Sequence, residues 1–411
     1  MRILHTADWH LGKKLDTFSR HPEQEQVLHE ICEIADRENS DVIIVAGDLF
    51  DGFNPPSESQ QLLYSTLKRL TAHGTRPVIA IAGNHDSPDR IMAADPLAIS
   101  LGIFFAGYPD SSFIPQTLDS GIEITHSEPG FLELKLPAYT YPVRLLLTPY
   151  ASEMRLRQRL HDDGSGQAMR DLLKTRWADL ADKYCDNMGV NILAAHLYVM
   201  QEGEPMPEEP DDEKPILIMG NAQAVFTNNF PPQMQYVALG HLHRRQKIGG
   251  TGFPVVYSSS PLAYSFSEAD QDKFVVMIDV EPGKEAVLNN IKLGTGRRLL
   301  RFRSAGENPV EDALKWLSEN REAYTELTIV SGTALSGAEH RSLRSAHERI
   351  VCIIPEVTGA GPTGEQARSF ADLSQNMDTL FTQFYRESNG GQEPSANLTG
   401  LFREMLSLDI E

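Results

Sequence analysis

DVIIVAGDLFD (residues 41–51) and PVIAIAGNHDS (residues 77–87) decide the fold. Each opens on an unbroken apolar run of strand length and ends at a glycine followed by acids, an amide or an imidazole. A strand apolar at every position is buried on both faces, as the inner strands of a parallel sheet covered by helices are. Working outward, Arg2–Thr6 reads as another strand. His21–Glu38 has helical spacing, with Val27, Leu28, Ile31, Ile34 and Ala35 on one side, and Ser57–His73 is helical between the two quoted runs. The order β-α-β-α-β predicts a layered α/β domain.

Further strands are expected at Arg144–Thr148, Asn191–Ala195 and Tyr236–Leu239, with a helix over Met169–Tyr184 and Phe274–Val280 closing the domain. A second sheet follows, which gives a sandwich of two sheets flanked by helices over residues 1–280. At Glu281-Pro282-Gly283 the pattern changes. Strands near Leu299–Arg303, Glu326–Val330 and Arg349–Ile354 alternate with helices near Pro309–Asn320 and Gly337–Ala346, a small α/β module spanning 281–358. Gly359–Gly364 reads as a linker. The tail to residue 411 carries two helical stretches split by Asn389-Gly390-Gly391, with Leu373, Met377, Leu380, Phe381 and Phe384 and then Leu398, Leu401, Phe402, Met405 and Leu406 at apolar positions.

The formal net charge of −20 argues mildly against nucleic acid, since an acidic surface repels phosphate at long range. Bound divalent metals would reverse the sign locally, and much of the excess lies in Glu202–Glu213, which has seven acids and no base and reads as a solvated loop. Cys32, Cys185 and Cys352 show no CxxC spacing, so neither a disulfide framework nor a zinc knuckle is expected. No apolar run reaches membrane-spanning length and the N-terminus lacks the features of a signal peptide. A cytoplasmic protein is expected.

Five short elements carry the chemistry, each just after an expected strand, where sites form in open α/β sheets. Asp8-Trp9-His10 puts a carboxylate and an imidazole on one face of an extended segment; alone, a turn acid beside a surface histidine fits it as well. In Gly47-Asp48-Leu49-Phe50-Asp51, an acid at the end of a buried strand costs free energy unless paired or metal-bound, although a helix N-cap is the ordinary alternative. Asp48 has two oxygens and could bridge two metals. Gly83-Asn84-His85-Asp86 offers a neutral oxygen ligand and, in His85, a group that could protonate a leaving oxygen. His196 follows the strand at 191–195, and a lone histidine there is more often structural. Gly240-His241-Leu242-His243 has a metal-ligand spacing. Together the set offers mixed nitrogen and oxygen ligands without thiolates, which suits manganese, iron or zinc better than calcium.

This ordered set resembles the calcineurin-like metallophosphoesterase superfamily. The segments MRILHTADWHLGK, VAGDLFDGFNPPS, AGNHDS and YVALGHLHRRQ, followed by SSPLAYSF, are similar to the nuclease subunits of bacterial SbcC–SbcD DNA-repair complexes. The resemblance implies that Asp8, His10 and His243 hold one metal, that Asn84, His196 and His241 hold the other, and that Asp48 bridges them. It implies two divalent ions, manganese foremost. His85 would stabilise the transition state or protonate the leaving oxygen, and the Asp51 carboxylate would orient His85. It further implies ATP-dependent exonuclease action on double-stranded DNA ends and endonuclease action on single strands and hairpins. A homodimer through Ser57–His73 and Ser87–Leu101, a capping role for 281–358, and docking of the tail on an SbcC-type ATPase follow from it as well. One departure stands out: Ser259 occupies a loop position where the family usually has glycine. Arg297, Arg298, Arg301 and Arg303 read as a solvated strand face before a phosphate-binding one. The competing reading is a small-molecule phosphodiesterase or phosphatase on the same metal core, for which the extra module and tail are superfluous.

Overall fold

The computed structural model describes residues 1–156, 166–207, 224–358 and, beyond these, positions 381, 385, 386, 394, 398 and 399. Apart from those few positions, the expected tail helices lie outside the described residues, as do residues 208–213 of the acidic run. The chain divides into two compact units, one of Met1–Ile329 with Leu335–Pro355 and one of Val330–Ala334 with Glu356–Glu411. In the second, the Thr358 amide donates to the Ser331 carbonyl at 2.8 Å, and the rings of Phe381 and Tyr385 stand 6.2 Å apart.

The first unit contains β1 (Arg2–Thr6), α1 (His21–Arg37), β2 (Val42–Ala46), α2 (Ser57–Leu70), β3 (Val78–Ile81), β4 (Ile103–Ala106), β5 (Glu123–Glu128), β6 (Phe131–Lys135) and β7 (Val143–Thr148). It continues with α3 (Gln167–Tyr184), β8 (Val190–His196), β9 (Tyr236–Gly240), β10 (Val255–Tyr257), β11 (Phe274–Asp279) and β12 (Val287–Lys292). One sheet runs β12-β11-β1-β2-β3-β4. The other has eight strands, in which β10-β9-β8-β7-β6-β5 is flanked by short edge strands at Gln246–Ile248 and Gln116–Thr117. β1 to β4 are mutually parallel, as are β7 to β10; β11 runs antiparallel to β1 and β12 to β11, and β6 runs antiparallel to β7 and β5 to β6.

The two sheets face each other across an apolar layer that includes Ile3, Ile44, Ile79, Leu145, Ile192 and Ala238. A buried aliphatic side chain of this size contributes roughly 1.5–3 kcal/mol, so this layer is the main reason the sheets hold together. The opposite face of the first sheet is covered by α1 and α2. The five α1 residues expected to face inward are all buried there, beside Leu63 and Leu67 of α2. Trp177 and Leu173 of α3 cover the second sheet. The sandwich expected from the sequence is the observed fold, and it sets the carboxyl ends of both parallel sets side by side.

Some elements differ from the sequence reading. The stretch Ser87–Leu101 forms two short helices, Pro88–Met92 and Asp95–Ser100. Pro96 has no N–H to continue the first helix but suits the opening turn of the second. β12 was not expected. Val287 is exposed and two asparagines sit mid-strand, so its apolar signal is weak. Pairing with β11 holds it, and the turn at Glu281-Pro282-Gly283 thus joins two strands of one sheet.

The α/β module is built from β13 (Leu299–Ser304), α4 (Pro309–Glu319), β14 (Tyr324–Ser331), α5 (Gly337–Ala346) and β15 (Ile350–Val357), its sheet in the order β13-β14-β15. Ala313, Leu317, Leu327, Ile329, Leu343 and Ile350 form its core. Ser336 and Glu339 close a reciprocal cap at the start of α5, with the Glu339 amide on the Ser336 hydroxyl at 3.3 Å and the Ser336 amide on Glu339 Oε2 at 2.8 Å. The module touches the segment 15–20 of the sandwich, where Phe18 lies edge-on to Tyr324 at 5.4 Å and the Arg20 guanidinium sits 5.1 Å above the same ring. Arg301 and Arg303 are exposed on β13, and Arg301 pairs with Glu326 at 3.0 Å.

Candidate metal centre

All seven expected ligands meet at the carboxyl ends of β1, β2, β3, β8 and β9, and Asp8, His10, Asp48, Asn84, His196, His241 and His243 are all buried. His10 Nε2 lies 2.9 Å from His243 Nε2 on one side. On the other, His196 Nε2 lies 2.8 Å from Asn84 Oδ1. Asp48 Oδ2 stands between them, 3.5 Å from His10 Nε2 and 3.3 Å from His196 Nε2. Its other oxygen accepts the His85 amide at 2.9 Å. Asp8 Oδ1 accepts the His241 amide at 2.8 Å.

The backbone that aims these groups is unusual. Asp8, His10, Asp48 and His241 have φ values of 56°, 45°, 48° and 108°. Non-glycine residues in this region carry strain, which is retained where surrounding structure enforces it. Asp86 supplies part of that enforcement. Fully buried, it accepts the amides of Gly83 at 2.8 Å, Phe50 at 2.9 Å and Leu49 at 3.0 Å, so one carboxylate ties two site loops together. Arg155 donates to the carbonyls of Gly83 and Asp86, both at 2.7 Å. The loops are packed so closely that a Cβ on Gly83 would lie 2.0 Å from Asp48 Oδ1, and one on Gly47 (φ +93°) 2.2 Å from His196 Nδ1.

The residues fit divalent cations. The His196 Nδ1 sits 2.9 Å from the Ala46 carbonyl, which can only accept, so Nδ1 carries a proton and Nε2 presents a lone pair. Nε2, Asn84 Oδ1 and Asp48 Oδ2 then converge as acceptors. Asp8 Oδ2 is buried with no hydrogen-bond partner among the described residues. Such a cluster is costly unless a cation neutralises it. Without one, protons must serve. Burial pushes Asp8 up to about 7, against the pull of His196 and His243. Burial disfavours the charged form of His196, yet Asp48 and Asp8 outweigh it and raise its pKa to about 9. Burial likewise opposes the charge on Asp48, but His196, His10 and His85 hold its carboxyl well below the usual range.

His85 Nδ1 lies 2.8 Å from the backbone carbonyl of Asp51. The orienting role expected of the Asp51 carboxylate thus falls in part to its carbonyl. The carboxylate itself is 3.6 Å from His10 Nδ1 and 3.3 Å from Lys13 Nζ. Ring nitrogens of His10 and His85 and an oxygen of Asp51 lie within 4.8 Å of one another.

Three residues behind the site were not anticipated. Asp86 was visible in the motif but had no assigned role, and Arg155 and Glu268 had no local signal at all. Glu268 Oε1 is 3.3 Å from His243 Nδ1, a contact made across 25 residues by the loop after β10. Ser259 in that loop has φ +91°, the conformation that favours the glycine usual there. Its hydroxyl accepts the Phe274 amide at 2.9 Å and donates to the Phe274 carbonyl at 3.2 Å, which pins the strained turn to β11.

Comparison with known proteins agrees with this geometry. Residues 1–144 match the family model described as calcineurin-like phosphoesterase. The chain is 36% identical to the SbcD subunit of the SbcCD nuclease of Bacillus subtilis (strain 168) over 413 aligned positions, covering 99% of this chain and 98% of that one. The chain belongs to the SbcD nuclease family. Other members include the SbcD proteins of Rhodobacter capsulatus, 32% identical over 76% of this chain and 74% of the relative, and of Escherichia coli (strain K12), 30% identical over 71% and 68%. The Bacillus match extends through the α/β module and the tail, where the sequence offered no motif.

Proposed function

We propose that the chain is a metal-dependent DNA nuclease that hydrolyses phosphodiester bonds at a two-ion centre. The observation that carries this reading is the convergence of buried acceptors around Asp48 Oδ2, taken with the family's nuclease members. Asp8, His10 and His243 would hold one ion, Asn84, His196 and His241 the other, and Asp48 would serve both. The ions are taken as manganese. Such ions would supply Lewis acidity to the phosphate and lower the pKa of water. His85 keeps one proton on the Asp51 carbonyl, so its exchangeable proton is at Nε2, where it can be passed to a leaving oxygen.

The remaining assignments rest on the family resemblance and on features of this chain. The protein acts as an ATP-dependent exonuclease on double-stranded DNA ends and as an endonuclease on single strands and hairpins, in repair and recombination. An SbcC-type ATPase binds its tail, residues 359–411. The module expected at 281–358, carried by β13–β15, caps the nuclease domain and helps select DNA ends. Two copies pair through α2 and the helices within Ser87–Leu101, where Leu97 and Leu101 are exposed. Among the described residues no helix is long and apolar enough to cross a membrane, and the free cysteines suit the reducing cytoplasm. The small-ester alternative is not favoured, since a relative named as a nuclease matches nearly the whole chain.

The test is cleavage of linear and hairpin DNA with manganese, with and without the partner ATPase and ATP, beside a small phosphodiester. DNA cleavage stimulated by partner and ATP supports the reading; turnover of the small ester alone overturns it.

A further inference from the structure

The His196 and His243 imidazoles are backed differently. His196 Nδ1 donates to the neutral carbonyl of Ala46 at 2.9 Å, with the Asp8 carboxylate more distant at 3.8 Å. His243 Nδ1 faces the Glu268 carboxylate at 3.3 Å, and His10 Nδ1 faces that of Asp51 at 3.6 Å. Each of these last two carboxylates has a lysine behind it: Lys273 pairs with Glu268 and Lys13 with Asp51. Glu268 is almost wholly buried and also accepts the Tyr264 amide at 3.1 Å and the Ser260 hydroxyl at 3.3 Å. Lys273 donates to the His243 carbonyl and to Ser260 Oγ, both at 2.9 Å. The pair therefore grips His243 at its ring and at its backbone.

We infer that Glu268 is a positioning residue that makes the Asp8–His10–His243 position the tighter of the two, so that it fills first. An anionic acceptor on Nδ1 fixes the tautomer, holds the ring plane and makes Nε2 a stronger donor to a cation than a carbonyl does. Lys273 lets that carboxylate remain charged inside the protein, because an unpaired buried anion would be too costly. This inference rests on the two-ion reading above, and its test separates the two.

The experiment titrates manganese into the full chain, following free ion by electron paramagnetic resonance and binding by calorimetry. Wild type is expected to show two unequal sites. Glu268→Gln is expected to weaken the tighter site about 10-fold and Glu268→Ala up to about 100-fold, with the other site shifted far less. Because either change strands Lys273, the double variant Glu268→Gln with Lys273→Met provides a neutral pair, and it is expected to show the same selective weakening with a native circular dichroism spectrum. A purely structural role would weaken both sites together. Two sites in wild type that are unchanged, or equally weakened, in the double variant would overturn the inference; fewer than two sites in wild type would overturn the two-ion reading beneath it.

Discussion

His85 meets the Asp51 carbonyl through Nδ1 and is not one of the seven proposed metal ligands, so on the proposed reading proton transfer and metal binding are separable at this residue. His85→Ala should retain two ions per chain and lose about 10²- to 10⁴-fold in DNA cleavage rate, the range for a general acid. Metal content and single-turnover rates check this, and an unchanged rate would remove His85 from the chemistry. The protons on Asp8 and His196 give a second test. Asp8 is an acid whose pKa rises on folding to about 7, so the cost of its charge is absent below its usual value near 3.8 and complete above 7. The His196 contribution is fully present below 6.5 and is lost as pH rises through about 9. Both make the fold less stable toward alkaline pH when no cation is bound. The gap in Tm between manganese and EDTA should therefore widen from pH 6 to pH 9; a constant or narrowing gap would contradict a site that trades protons for cations. Eight of the nine expected site residues could be named from sequence because each stands beside a strand end with a polar motif partner one to three positions away; His196 is a lone histidine, drawn in only by the other elements and the resemblance. Glu268 and Arg155 could not, because their contacts come from chain folding back across 25 and 69–72 residues.

At the scale of elements, the site depends on loops whose shape is set by one another. Asp86 satisfies three amides in two of them, and burial raises its pKa to about 6. Asp86→Asn leaves one oxygen to accept where two did, and at least one buried amide loses its partner at a cost of about 1–3 kcal/mol. A Tm several degrees lower and weaker manganese binding are expected, measured by thermal melts and calorimetry; wild-type values in both would show that Asp86 does not organise the loops. β2 and β3 were legible because each is apolar throughout and ends in a polar motif, whereas β4 and β10, equally buried, are shorter apolar runs and were not read as strands. The edge strand β12 and the β5–β6 hairpin were not legible either, since strands with one open face owe their state to a neighbour rather than to their own pattern. The break in Ser87–Leu101 could have been inferred from Pro96.

For the whole molecule, a chain of net charge −20 that works on a polyanion needs positive charge from elsewhere, and the proposed divalent ions would supply it at the point of reaction. On the proposed reading the partner ATPase would supply the rest of the DNA-binding surface. Deleting residues 366–411 should leave metal binding and Tm unchanged and abolish association with the ATPase in gel filtration; normal association would assign docking to another surface. The sandwich was legible from its parallel strands, and the α/β module from its alternating pattern, but no motif within that module told what it does.

The proposed two-ion centre turns on Asp48, because its Oδ2 lies between His10 and His196, one from each proposed set of ligands. The most direct measurement takes manganese stoichiometry and linear-DNA cleavage on the same samples of wild type and Asp48→Ala. Two ions and cleavage in wild type, with fewer ions and no cleavage in the variant, are the predicted result; full cleavage by the variant would contradict it.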